Sequence, residues 1–151
     1  MPRDAALRLE AYLPYRLSVA SNRASRWVAR SYEDRFKLSI WQWRVIAVLG
    51  GADRLTAQDL ATATAMDKVT VSRAVGALIE RGLVSRERHQ SDGRSALVQL
   101  TGAGRRVYDE VAPVALEHEA DLLAGFSPEE IDQLTDLLMR LETRAENLAG
   151  D

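Results

Sequence analysis

The stretch "DKVTVSRAVGALIERGLVSRERHQSDGRSALVQLT", residues 67–101, decides the fold. Asp67 is a helix-capping residue and Gly82 a helix stop, so the spacing predicts a helix from Lys68 to Arg81. At 100° per residue, Val71, Ala74, Val75 and Leu78 fall on one side, which is the core side. The opposite arc carries Val69, Ser72, Arg73, Gly76 and Ala77, with Thr70 at its margin and Lys68 at the N-terminal end. After Gly82, "LVSRERH" and "SALVQL" alternate as two strands around a "QSDG" turn.

Upstream, Thr56 opens "TAQDLATAT" with Asp59 three residues on, a short helix that breaks near Thr64 to Met66. Two short helices joined by a tight turn make a helix-turn-helix, and the strand pair after them makes a wing. Before them, "LSIWQWRVIAVLGG" is a helix capped by Ser39 with Gln42 closing a capping box, stopping at Gly50-Gly51. A first long helix is expected from about Pro14 to Phe36. Leu13, Leu17, Ala20, Ala24 and Trp27 or Val28 step along one face, and Arg16, Arg23, Arg26 and Arg30 along another.

Downstream, Thr101 caps a long helix reaching about Gly125, bent or interrupted near Pro113. A last helix starts with Ser127 at the cap, Pro128 at the first position and Glu130 closing the box. Ile131, Leu134, Leu138, Leu141, Ala145 and Leu148 form a seam for a partner helix. The fold class is therefore mainly α with a small β wing: one domain over 1–151, of which 37–101 is a winged helix-turn-helix lobe.

Small, hydroxyl-bearing and basic side chains at the start of a helix suit a major groove. Arginine reads guanine there, serine and threonine read either base pair, and an apolar group touches the thymine methyl. The DNA-binding candidates are Thr56, Gln58, Lys68, Val69, Thr70, Ser72, Arg73, Arg88, Ser91, Gly93 and Arg94. Arg94, at the wing's turn, has the reach and permanent charge to enter a minor groove. Gly93 lets that turn bend, and Asp92, which repels phosphate, orients an arginine or the turn backbone.

Charge distribution supports a polyanionic partner. The formal net charge is -2 over 151 residues, yet residues 1–65 and 66–106 each carry +4 and residues 107–151 carry -10. The hydrophobic share of 46% and charged share of 28% are those of a globular protein. Without cysteine there is no thiolate zinc site or thiol redox sensing, and two histidines do not build a metal cluster. No metal or cofactor is expected. No apolar run is long enough to span a membrane, and "MPRDAALRLE" lacks a signal peptide's basic-then-apolar start, so a cytoplasmic location is expected. No nucleophile set, phosphate-cradling loop or paired-carboxylate site argues for an enzyme. The remaining rival is a winged-helix protein-interaction or non-specific DNA-packaging module without ligand response.

The run "MDKVTVSRAVGALIERGLVSRERHQSDGRSALVQLTGAGR" resembles the MarR family of bacterial transcription regulators. It carries that family's recognition helix, the "ERGLV" approach to the wing, and the wing pattern of Asp92, any residue, Arg94, then Leu100-Thr101. The resemblance implies a homodimer of triangular outline that binds a pseudo-palindromic operator, usually represses, and is often released by a small aromatic carboxylate or phenol. It implies a helical dimerisation region, 1–36 with 102–151, using Leu13, Leu17, Ile131, Leu134, Leu138, Leu141 and Leu148. It also implies an effector pocket near Arg23, Arg26 and Trp43, although Trp43 among Val45, Ile46 and Leu49 suits a core better and the arginines also suit neutralisation of the acidic C-terminal helices. Independently of resemblance, the leucine seam and the first helix's apolar face need partners, which either packing within one subunit or, as favoured here, two-fold symmetry supplies.

Overall fold

The computed structural model describes residues 6–88 and 96–150. The order is α1 (Leu13–Val28), α2 (Glu33–Phe36), α3 (Ile40–Gly51), β1 (Leu55–Thr56), α4 (Ala57–Thr64), α5 (Lys68–Glu80), β2 (Val84–Arg88), β3 (Ala96–Leu100), α6 (Gly102–Leu123) and α7 (Pro128–Ala149). Single 3₁₀ turns lie at Leu9–Ala11 and Ala29–Ser31. The three strands form one antiparallel sheet in the order β1-β3-β2, giving a mainly helical winged helix-turn-helix fold. The described residues fall into two compact units, divided within α6 between His118 and Glu119.

Short polar residues fix the helix starts. Ser39, Thr56 and Ser127 each accept the backbone N–H three residues on, and Gln42, Asp59 and Glu130 return the bond. Asp67 caps α5 by accepting from the Thr70 N–H at 2.7 Å and the Thr70 hydroxyl at 3.0 Å. These bonds, the backbone one foremost, hold its carboxyl below its ordinary 3.8. Between α4 and α5, Ala65 takes the left-handed conformation at φ 55°. The Ala65 N–H donates to Ala61 and Thr62 and the Met66 N–H to Ala61, while Met66 is buried. This is the tight turn of the helix-turn-helix.

The core is where the helical faces converge. Val45, Ile46 and Leu49 of α3, Leu60 of α4, and Val71, Val75 and Leu78 of α5 are all at most 1 % exposed. Val84 and Val98 close it from the sheet and Val111 from α6. Burying each such side chain contributes about 1.5–3 kcal/mol.

Three expectations are corrected. The first helix does not run to Phe36 but leaves α geometry after Val28. There the Ser31 hydroxyl donates to the Val28 carbonyl at 2.6 Å, and Tyr32, at φ -136°, turns into the core. Burial of that ring outweighs helical continuation. Pro113 does not interrupt α6, because the turns before it are anchored by buried Val111 and by Val107 and Tyr108 against the core. The sheet also has a third strand, β1, pairing Leu55 with Val98 and Thr56 with Leu97. Two residues are too short to carry a period-2 signal.

Arginines hold the C-terminal ends of helices. The Arg81 guanidinium donates to the carbonyls of Phe36 and Lys37 at the end of α2, and that of Arg105 to Gly50 in α3 at 3.0 Å. Thr101 ties the end of α5 to the sheet and α6. Its hydroxyl donates to Gly82 at 2.6 Å, its N–H donates to Leu83 at 3.1 Å, and its oxygen accepts from the Gly104 N–H at 3.1 Å.

Two predictions follow from this junction and from the α5 cap. A methyl at Gly104 would stand 2.0 Å from the Leu83 carbonyl oxygen. Gly104→Ala is expected to lower unfolding stability by about 1–3 kcal/mol, read as a lower urea midpoint with unchanged slope. Asp67→Ala is expected to lower the melting temperature at neutral pH. Because the folded-state pKa is lowered, the cap's contribution is complete above the unfolded value and fades as pH falls through the folded one. The two melting curves should therefore converge only below 3.8.

Candidate nucleic-acid interface

With the inner face of α5 in the core, its other side is left to solvent. Lys68, Val69, Ser72 and Arg73 are exposed, Val69 by 60%, and Thr70 is half-buried. Gly76 and Ala77, expected on the open arc, are half-buried, so the exposed surface is concentrated in the first two turns. Backbone N–H groups at a helix start also favour phosphate.

The two threonines have opposite hydrogen-bonding capacities. The Thr70 hydroxyl already donates to Asp67 at 3.0 Å, so toward a ligand it can only accept, as from the amino group of adenine or cytosine. The Thr56 oxygen accepts the Asp59 N–H at 3.1 Å, leaving its hydroxyl hydrogen to donate, as to a phosphate.

A groove of about 420 Å³ brings together Thr56, Gln58, Lys68 and Arg86, with Ala96 and Val98 from β3. Arg86 was not singled out in the sequence. Its signal is the period of β2: two residues after buried Val84, it lies on the same strand face and extends past the core edge. Arg88, exposed on that strand, does not line this groove. On the other side of α5, a groove of about 300 Å³ joins Thr70, Arg73 and Ala74 to Ser39, Trp41 and Gln42 at the start of α3. Trp41 is 47% exposed, with the Arg44 guanidinium 5.6 Å from its ring centroid. Both grooves adjoin the first turns of the recognition helix. Ser91, Asp92, Gly93 and Arg94 lie outside the described residues.

The expected effector residues are divided. Arg26 lines a cavity of about 410 Å³ with Asn22, Ser25, Tyr32 and Glu33. Trp43 lines another of about 250 Å³ with Ser25, Val28, Tyr32 and Arg44. Arg23 is exposed and lines neither. Trp43 also stacks between Tyr32, at 5.8 Å, and Tyr108, at 6.3 Å, so it is at once cavity wall and core packing. Burial pushes the Tyr32 hydroxyl pKa up, Glu33 adds to this, and Arg44 opposes it. Arg44, a cation lining the Trp43 cavity, is not among the residues expected from sequence.

Of the expected dimerisation residues, Leu13 is exposed and Leu17 half-buried on α1. On α7, Leu134, Leu138, Leu141 and Leu148 are exposed and Ile131 is half-buried. Among the described residues, no His, Asp and Glu cluster could hold a metal ion, and no helix is long and apolar enough to cross a membrane.

Comparison with known proteins bears on this geometry directly. The MarR family model matches residues 36–95, which run from the end of α2 into the wing. The chain is 31% identical over 104 residues to YdgJ of Bacillus subtilis (strain 168), an uncharacterized HTH-type transcriptional regulator. That match covers 69% of this chain and 63% of YdgJ. Among solved structures, a MarR family transcriptional regulator from Silicibacter pomeroyi is 30% identical with a TM-score of 0.75, covering 91% of this chain and 94% of that one. Bordetella bronchiseptica BpsR, whose DNA binding is regulated by 6-hydroxynicotinic acid, is 25% identical with a TM-score of 0.84, covering 91% and 98%. With a recognition helix presented beside paired wing strands, and a solved MarR family regulator 30% identical and matched over 94% of its length, the chain belongs to the MarR family of winged helix-turn-helix, DNA-binding transcriptional regulators.

Proposed function

We propose that the protein acts as a homodimeric repressor of a pseudo-palindromic operator, relieved by a small aromatic or phenolic carboxylate. The observation that carries this reading is the outer face of α5, where Lys68, Val69, Ser72 and Arg73 are exposed together while Val71, Val75 and Leu78 are buried. In this reading Arg73 reads base edges, Val69 touches a thymine methyl, and Lys68 and Thr56 hold phosphates. Gln58, Ser72, Thr70, Arg88 and Arg86 extend the contact, and Ser91, Gly93 and Arg94 bring the wing to the minor groove with Asp92 as orienting partner.

Residues 37–101 would form the DNA lobe, with 1–36 and 102–151 the dimerisation region. The exposed leucines of α1 and α7 support that assignment, since apolar side chains of this size call for a covering surface. Two lobes related by two-fold symmetry match two half-sites. For the effector, Arg26, Trp43 and Arg44 offer cations and an aromatic wall around two adjacent cavities, and regulation of BpsR by an aromatic acid supports the ligand class.

Selection of bound duplexes from a random pool at near-physiological salt should enrich an inverted repeat with half-sites about one helical turn apart. Binding that merely follows salt, without enrichment, would point to a packaging module instead. On the enriched duplex, Arg73→Ala should cost about 1–3 kcal/mol and relax preference at particular base pairs. Lys68→Ala should weaken all sequences alike and reduce the salt slope by about one. Equal, uniform losses from both would refute the division into base reader and phosphate clamp.

A further inference from the structure

We propose that Arg44 couples the effector cavity to the DNA face, its guanidinium stacking over Trp41 and turning to the ligand carboxylate when the cavity is filled. The inference rests on the reading of the Trp43 cavity as an effector site. Its basis is one side chain that belongs to two places. Arg44 lines the cavity with Trp43 and Tyr32, and it also stacks 5.6 Å from the centroid of Trp41, which lines the groove containing Thr70 and Arg73 of the recognition helix.

Helix geometry explains how one residue serves both. At 100° per residue along α3, Trp43 lies about 160° from Trp41, and Arg44 falls between them, about 60° from Trp41 and 100° from Trp43. A four-atom stem from that position reaches either side. Arg35 is anchored by Glu110, Arg81 by the Phe36 and Lys37 carbonyls, and Arg105 by the Gly50 carbonyl. Among the described residues Arg44 has no anchor of that kind, only the Trp41 ring.

The competition then has a defined direction. A paired, charge-assisted contact between guanidinium and carboxylate is stronger than an exposed cation–π contact, so a carboxylate in the cavity draws Arg44 from Trp41. Trp41, beside Thr70 and Arg73, then loses the cation stacked over it. Because the ligand binds only one of Arg44's two positions, it shifts the population toward the form with Trp41 unstacked. The Trp41 groove is thereby part of the release mechanism and not only part of the DNA surface.

The test uses the full chain, the duplex enriched from the random pool, and 6-hydroxynicotinic acid as the probe. Calorimetry follows probe binding and fluorescence anisotropy follows DNA binding. The wild type is expected to bind the probe and lose DNA affinity by about fivefold or more. Arg44→Met should already show the lowered DNA affinity without probe, respond no further to it, and be non-additive with Trp41→Ala. Arg44→Lys, which keeps the charge but not the planar fork, should still bind the probe while releasing DNA less. It also serves as the test variant if Arg44→Met melts early by circular dichroism. Probe binding to the wild type, with Arg44→Met and Arg44→Lys released from DNA as readily as wild type, would overturn the coupling while leaving the cavity reading intact. Strict additivity of Trp41→Ala and Arg44→Met would do the same. Failure of the wild type to bind the probe would instead defeat the cavity reading and the coupling with it.

Discussion

Val71, Val75 and Leu78 of α5 are held among Val45, Ile46 and Leu49 of α3 and Leu60 of α4, all at most 1 % exposed. A helix so packed has no rotational freedom about its axis, because turning it by one residue would exchange an apolar side chain for Ser72 or Arg73 at a site with no polar partner. The same contact therefore fixes which residues face outward. The 3.6-residue period then delivers Lys68, Val69, Ser72 and Arg73 to solvent as a set. DNA-facing chemistry and core packing are two sides of one constraint.

The axial position of α5 is set at both ends by polar groups. At its start, Asp67 accepts from the Thr70 backbone and side chain, which also decides that the Thr70 hydroxyl meets a ligand as an acceptor. At its end, Gly82 in the left-handed region at φ 72° lets the chain reverse, and Thr101 binds that reversal to β3 and α6. Gly104 lets α6 start against the Leu83 carbonyl, since no side chain fits between them.

Several exposed arginines of this chain also make structural contacts that charge counting does not show. Arg81 and Arg105 satisfy carbonyls at the ends of short helices, and Arg35 pairs with Glu110. Arg73 lies on the recognition helix and Arg86 beside its start, and Arg44 stands between the aromatic side chains of α3. Arg81 and Arg105 stay exposed while binding these carbonyls, so their charge still counts toward the net +4 of residues 66–106, but their guanidinium donors are already engaged.

What the sequence alone determined lies within a few residues of where it is written. The capping boxes at Ser39, Thr56 and Ser127 join partners three positions apart, and the apolar period of α5 repeats within two turns. Helix starts, the recognition face and the wing strands were therefore legible, as was the family pattern from Asp67 to Thr101. Tertiary structure decided whatever depends on partners distant in the chain. The first helix ends where Tyr32 finds the core, β1 exists only because β3 is there to pair with it, and Arg81 and Arg105 reach carbonyls 44 and 55 residues away. The separation of Arg23 from Arg26 and Trp43, and the arrival of Arg44 and Arg86 in their places, belong to the same class. Local capping and periodicity are short-range free energies encoded in adjacent residues, whereas a cavity or groove is made by surfaces that meet only after the chain has closed on itself.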